Sequence, residues 1–151
     1  MAVTSFWYAE AFINILDEEV DWTADTIKVI LTTNAYTPNQ DTHGYHEDIT
    51  NEVAAAGNYA TGGATLGTPT IGSTLNVIKL DGDDTTWAAS TITARRAVIY
   101  DTTPGASATN PLLFWVDFGE DESSSSGEFK ITWHGNGMAT ITPANAAGYP
   151  A

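Results

Sequence analysis

Between Thr91 and Pro143 the chain carries four apolar runs, at residues 92–100, 112–118, 128–133 and 138–142, separated by polar or glycine-rich turns. In three of them apolar residues recur at every second position, the period that puts side chains on one face of a sheet, so four consecutive β-strands are predicted. Leu112, Phe114, Val116 and Phe118 form one row, and Phe129, Ile131 and Trp133 the next. Residues 102–111 read as a loop by their Pro, Gly, Ser and Asn content, and 119–127, with serine at 123–126, read as another.

Upstream, Ser5 is placed to cap a helix over 5–17, with Phe6, Ala9, Ile13 and Leu16 at helical spacing. Phe6, Trp7, Tyr8, Phe12 and Ile15 make this helix apolar on nearly every side, so it should pack against the sheet or a neighbouring subunit. Residues 26–33 predict a strand with Ile27, Val29 and Leu31 on one face. The polar excursion 34–48 is long enough to suggest a function or an interface. Residues 51–63 are rich in Ala and Gly and give no assignment. Runs 64–71 and 75–80 resemble a hairpin around Gly72 and Ser73, followed by the acidic turn 81–84 and an anchoring Trp87. The tail 144–151 reads as loosely ordered. The expected fold is a single all-β domain, an antiparallel β-sandwich or Greek-key-like arrangement over 26–143 with one short N-terminal helix.

At 151 residues a single domain buries about 68–70% of its unfolded surface, enough for a core without staples. With no cysteine, disulfides and thiolate metal sites are excluded. A formal charge of −14, from 19 acidic and 5 basic residues, opposes phosphate backbones and anionic membranes, so neither nucleic acid nor membrane is an expected partner. No Lys or Arg precedes Lys28 and no apolar stretch is long enough to span a bilayer, so the protein is expected to be made in the cytoplasm. It would reach the exterior by lysis or within a particle.

Few groups suggest chemistry. His43, His46, Glu47 and Asp48 fall within six residues, but they lack helical i, i+4 spacing and a distant third ligand. Asp81, Asp83 and Asp84 suggest calcium, yet an EF-hand register from Asp81 meets Thr86 and Ile92 where Gly and Glu are required. No nucleophile elbow, zinc-protease motif or phosphate loop is present. No catalytic, metal or cofactor residue is therefore assigned. Arg95 and Arg96 are adjacent in a strand, which sends their side chains to opposite faces, toward an intrachain carboxylate or a second subunit. Trp115 alternates with Phe114 and Val116 and should face away from their core. That position suits either sugar stacking, as in a glycan-binding module, or packing under the helix or a neighbour, and packing is preferred.

Several segments together carry a resemblance: Thr26-Ile27-Lys28-Val29-Ile30-Leu31 leading to Ala35-Tyr36-Thr37-Pro38-Asn39-Gln40-Asp41-Thr42-His43, then Gly62-Gly63-Ala64-Thr65-Leu66, Thr86-Trp87 and Thr93-Ala94-Arg95-Arg96-Ala97-Val98-Ile99-Tyr100. Pro111-Leu112-Leu113, Val116-Asp117-Phe118-Gly119 and Phe129-Lys130-Ile131-Thr132-Trp133 complete it. In this order, over residues 1–143, they resemble small virion structural proteins of tailed bacteriophages. The resemblance implies a non-enzymatic part of the particle, most simply a capsid decoration or cement protein, with a tail or head-fibre component next. Its implied partners are the major capsid protein, other virion proteins and further copies of itself. The expected contacts are Phe6, Trp7 and Phe12 on the helix, Tyr36, Asn39, His43, Tyr45 and His46 on the long loop, and Arg95, Arg96 and Trp115 on the strands. Because neither acidic cluster has the spacing of a structural ion site, thermal unfolding with and without chelator is expected to coincide. A large drop in melting temperature in chelator would reveal an ion on which folding depends.

Overall fold

In the computed structural model, which describes residues 2–143, the elements follow in the order β1 (Thr4–Trp7), α1 (Ala9–Leu16), β2 (Ile27–Thr32), β3 (Ala64–Thr65), β4 (Thr70–Thr74), β5 (Val77–Asp81), β6 (Thr85–Asp101), β7 (Leu112–Ile131) and β8 (Ala139–Ile141). A 3-10 turn at His46–Asp48 interrupts the long loop. The strands form a five-stranded sheet, β1-β7-β6-β2-β3, and a three-stranded sheet, β4-β5-β8, with every named strand pairing antiparallel. This is an all-β, sandwich-like domain with one short helix. The expected tail 144–151 lies outside the described residues.

Several boundaries differ from the sequence expectation: the strand expected over 92–100 runs from Thr85 to Asp101, the run 64–71 divides into β3 and β4, the run 128–133 ends at Ile131, and two further differences change how the sheet is built. Residues 4–7 pair as a strand with β7, Phe6 opposite Trp115 and Trp7 opposite Phe114, and the helix begins only at Ala9. Apolar residues on every side suit a strand here, since Phe6 stacks on Trp115 at 5.3 Å while Trp7 packs between Phe12 and Phe114 at 5.0 and 5.1 Å. Aromatic pairs of this kind contribute about 0.5–1.5 kcal/mol beyond their buried area. The second difference is that 112–118, 119–127 and 128–131 form one strand. The serines lie in the ladder, Ser123 opposite Thr93 and Ser124 opposite Ile92, with the Thr93 and Ser123 hydroxyls 2.9 Å apart. A ribbon face in water needs no apolar residue, so apolar periodicity could not find it.

The register of β6 on β7 shifts at several points, and each shift has a use. Leu113 is an extra residue between the pairs Ile99–Phe114 and Tyr100–Leu112, and its carbonyl accepts from the Tyr8 amide at 3.0 Å, holding the strand-to-helix junction. Between Ala94–Glu122 and Arg96–Asp117, Arg95 lies opposite four residues of β7, where Gly119 adopts φ +86°. This irregularity overrides strict alternation. Arg95 and Arg96, expected on opposite faces, both bind Asp117, through Nε to Oδ1 at 2.7 Å and Nε to Oδ2 at 2.9 Å, and the Gly119 amide donates to Oδ1 at 2.8 Å. Arg96 also donates to the Tyr36 carbonyl, tying down the long loop.

The hairpin register is set elsewhere. Gly72 and Ser73 sit inside β4, opposite Lys79 and Ile78, and the turn is Leu75-Asn76. The reason is Trp22, whose Nε1 donates to the carbonyls of both Thr70 and Asp81, at 2.9 and 3.2 Å, and so fixes these two residues as partners. Its ring also lies 6.2 Å from Phe114, joining the small sheet to the large one. The Ala/Gly-rich segment 51–63 is explained by close backbone approach. A Cβ on Gly57 would lie 2.1 Å from the Ala89 carbonyl oxygen and one on Gly63 2.0 Å from that of Val29, and both have positive φ.

Burial raises the Asp117 carboxyl, but the Gly119 amide and the two guanidiniums outweigh it and hold the group below the usual carboxylate range. Its contribution is therefore complete above the unfolded-state value and lost as pH falls through the lowered folded value. Asp117→Asn, which leaves two guanidiniums uncompensated, should destabilise by on the order of 3 kcal/mol near neutrality. Denaturant melts should show the deficit shrinking in acid, and a deficit independent of pH would disprove the charge pairing.

Candidate interaction surface

The long loop is folded into the domain. Asn39 Oδ1 accepts from the amides of Asp41 and Thr42, closing a turn, and Gln40 clasps the start of the helix through Nε2 to Trp7 O at 2.7 Å and its own carbonyl to the Ala9 amide at 3.0 Å. The Asn39 amide also donates to His43 Nδ1, so that nitrogen is an acceptor. The Tyr36 hydroxyl, 3.0 Å away, must then donate to it, and Tyr8 in turn donates to Tyr36 at 2.9 Å. This ordered chain runs from core to surface. Burial pushes both phenols above their ordinary value, so they stay neutral donors.

His46 takes a different partner, with Nδ1 beside Ser107 Oγ at 2.8 Å and its ring over Tyr100 at 4.7 Å. Burial lowers its pKa, keeping it neutral, and raises Tyr100 to about 12. Asp48 Oδ2 accepts from the Gly44 and Tyr45 amides. The side chains that suggested a metal thus point to separate partners. Among the described residues no group of three or more His, Asp or Glu is arranged to hold an ion. The acidic turn is likewise divided: Asp81 pairs with Lys79, Asp83 accepts from the Thr68 hydroxyl, and Asp84 binds Lys130 and the Trp133 amide.

The expected contact residues therefore separate into groups. Tyr36 and Trp115 are interior, 1% and 7% exposed, and cannot present a surface; Trp115 is covered by Phe6 and by Tyr8 at 4.6 Å. Arg95 and Arg96 are engaged within the chain. Trp7, Phe12, His43, Tyr45 and His46 are half-buried, and only Asn39 and Phe6 are exposed.

Among the described residues, the large apolar side chains in water are Val3, Phe6, Ile13, Leu16, Ile71 and Leu75. Helix α1 buries Ala11 and Asn14 and turns Ala9, Ile13 and Leu16, at i, i+4 and i+7, to solvent. Two open grooves flank these residues. One, of about 860 Å³, runs from Val3 along Phe118 and Phe129 to Trp133 and Met138. The other, of about 590 Å³, lies between Ile15, Trp22, Ile71, Leu113 and Ile141. Helical spacing contained the signal for Ile13 and Leu16; Ile71 and Leu75 were missed because the turn was placed three residues early.

No protein-family model, curated protein or solved structure matches the chain. Its reading rests on its own residues.

A buried carboxyl was also missed. Asp101, at the end of β6, is fully inaccessible; Oδ1 accepts from the Thr103 amide at 2.8 Å and Oδ2 has no partner. Burial raises its pKa, and the neighbouring Asp25 carboxyl adds to the shift against the hydrogen bonds from Thr103. A raised folded value means the stabilisation is complete below the unfolded value and lost as pH rises through the folded one. Asp101→Asn, which cannot ionise, should thus melt higher than the parent near pH 8 and converge with it toward about pH 4. A lower melting temperature at the alkaline end would show that the ionised form is the stabilising one.

Proposed function

We propose that the protein is a structural component of a tailed-phage virion, made in the host cytoplasm, that decorates or cements the outer capsid surface and has no catalytic role. The observation that carries this reading is where apolar surface is left uncovered: Val3, Phe6, Ile13 and Leu16, four of the six exposed large apolar side chains among the described residues, lie just before β1, in β1 and in α1. Exposed apolar residues gathered on adjoining elements mark an interaction surface. Beside them Asn39 and Gln40, held by the turn and by the Trp7 carbonyl, supply polar groups able to fix register. Many copies on a lattice gain avidity, so each contact can be small.

Trp115, the residue that suggested sugar stacking, lies under Phe6 and Tyr8, which removes the support for a glycan-binding module. The partner in this reading is the major capsid protein or a neighbouring virion protein. The acidic surface disfavours the packaged nucleic acid.

Phe6→Ser combined with Ile13→Ser should leave circular dichroism unchanged, since both side chains are about half in solvent, 45% and 52% exposed, and Tyr8 still covers Trp115. Occupancy of this variant on purified particles should fall several-fold. In cryo-EM maps the parent should appear at threefold or quasi-threefold capsid positions. Undiminished occupancy of the folded variant would refute the attachment surface, and density confined to a tail axis would refute decoration.

A further inference from the structure

We propose that the seam joining the turn His46–Asp48 to the loop 102–111 is an acid-released latch, closed while the His46 ring is neutral and opened when it takes up a proton. The His46 amide donates to the Asn110 carbonyl at 2.9 Å, the Glu47 amide to the Ser107 carbonyl at 3.1 Å, and His46 Nδ1 meets Ser107 Oγ at 2.8 Å. The other ring nitrogen, Nε2, is buried without a hydrogen-bond partner, and the ring lies over Tyr100. Tyr100 and Asn110 are themselves buried, so parting the seam uncovers both.

The effect of a proton follows from this arrangement whichever tautomer is present. An imidazolium carries a hydrogen on each ring nitrogen, and Ser107 Oγ can accept only one of them. The hydrogen on Nε2 is left in a site with no acceptor, and an unsatisfied buried donor on a charged group costs its full desolvation. The ring must leave the site to be solvated. Neighbouring charges do not hold it there. Glu52 favours the cation, but its Oε1 already accepts from the Tyr59 hydroxyl at 2.9 Å and the Gly62 amide at 2.6 Å, and Lys28 on β2 opposes it. On the turn itself Asp48 Oδ2 is taken by the Gly44 and Tyr45 amides, and Glu47 points to water. Tyr100, from β6, stays neutral. Burial, the largest effect, together with Lys28 therefore outweighs Glu52 and holds His46 below its ordinary value. A lowered folded value makes the latch complete above the unfolded value, about 6.5, and lost as pH falls through the folded one.

The root of the same loop responds in the opposite sense. It is held by Asp101 Oδ1 on the Thr103 amide, by the Asp101 amide on the Pro111 carbonyl, and by the Thr102 amide on the Thr26 carbonyl. Burial, and Asp25 facing it from the segment before β2, raise the Asp101 carboxyl, so acid firms the root while it frees the tip. The loop then swings on residues 101–103 with the β6–β7 ladder intact. This device stands without the virion reading.

Amide hydrogen exchange on the isotope-labelled full chain, followed by NMR and corrected for intrinsic exchange rates, tests it. From about pH 7.5 to about pH 5, protection of the Glu47 amide should fall at least about tenfold relative to amides of the β6–β7 ladder. His46→Phe, which keeps a ring over Tyr100 and cannot take a proton, should hold that relative protection constant. His46→Asn, whose carboxamide can still bond Ser107, should do so too, so a packing fault in either variant does not decide the matter. Lys28→Gln should move the release to higher pH, because it removes a charge that opposes the cation. Relative protection of Glu47 that is the same at both ends of the range in the parent would overturn the proposal. Acid loss persisting undiminished in both His46 variants would do the same.

Discussion

The continuous pairing of β6 with β7 is the constraint on which the other elements depend. Neither sheet edge nor helix can be placed until that ladder is in register, because its irregular positions supply the groups that dock everything else. The carbonyl of the extra residue Leu113 captures Tyr8 and so turns β1 into α1. The shift at Arg95 gathers two guanidiniums and the Gly119 amide onto one carboxylate, and through Arg96 it also fixes the Tyr36 carbonyl of the long loop. A regular ladder would have sent the two arginines to opposite faces and left the loop unanchored.

Trp22 does for the small sheet what Asp117 does for the large one. A single indole N–H shared by two carbonyls specifies the hairpin register, while its ring reaches Phe114 across the layers. Since one register slip would exchange the faces of β4 and β5, this bond also decides that Ile71 borders the smaller groove and that Leu75 stands at the tip.

The electrostatic character follows from scarcity of cations. Four of the five are consumed in internal pairs, two of them on one carboxylate, so most of the nineteen acids face water unneutralised. The exposed pairs, Lys79–Asp81 and Lys130–Asp84, contribute little to stability. Such a surface repels further copies of the chain, and the large apolar side chains exposed on it lie at and beside β1, on α1 and on the β4–β5 hairpin. Asp101 and Asp117 show how position alone separates two chemically identical groups: an orphaned, fully buried oxygen beside another carboxyl raises one, and two guanidiniums lower the other.

The alternation of Leu112, Phe114, Val116 and Phe118, and of Ile27, Val29 and Leu31, made an all-β chain legible, because successive side chains of a strand point to opposite faces, and the short connections made its pairing antiparallel; that Leu113, Trp115 and Ile30 are buried as well, on the other face, was decided by the elements that cover it. The end of the helix near Asp17 and the buried role of Trp87 were legible for the same reason, apolar spacing and size. The strand character of residues 4–7 was not, since Phe6 and Trp7 also fit the helical spacing that continues to Leu16, until Trp115 and Phe114 select the strand by pairing with them. Nor was the serine ribbon, which is held by backbone bonds and a partner strand rather than by apolar contact. The convergence of Arg95 and Arg96 on Asp117, the orphaned oxygen of Asp101 and the exposure of Leu75 belong to tertiary structure alone. Each depends on a register or bulge that distant groups enforce, and sequence periodicity carries no record of it.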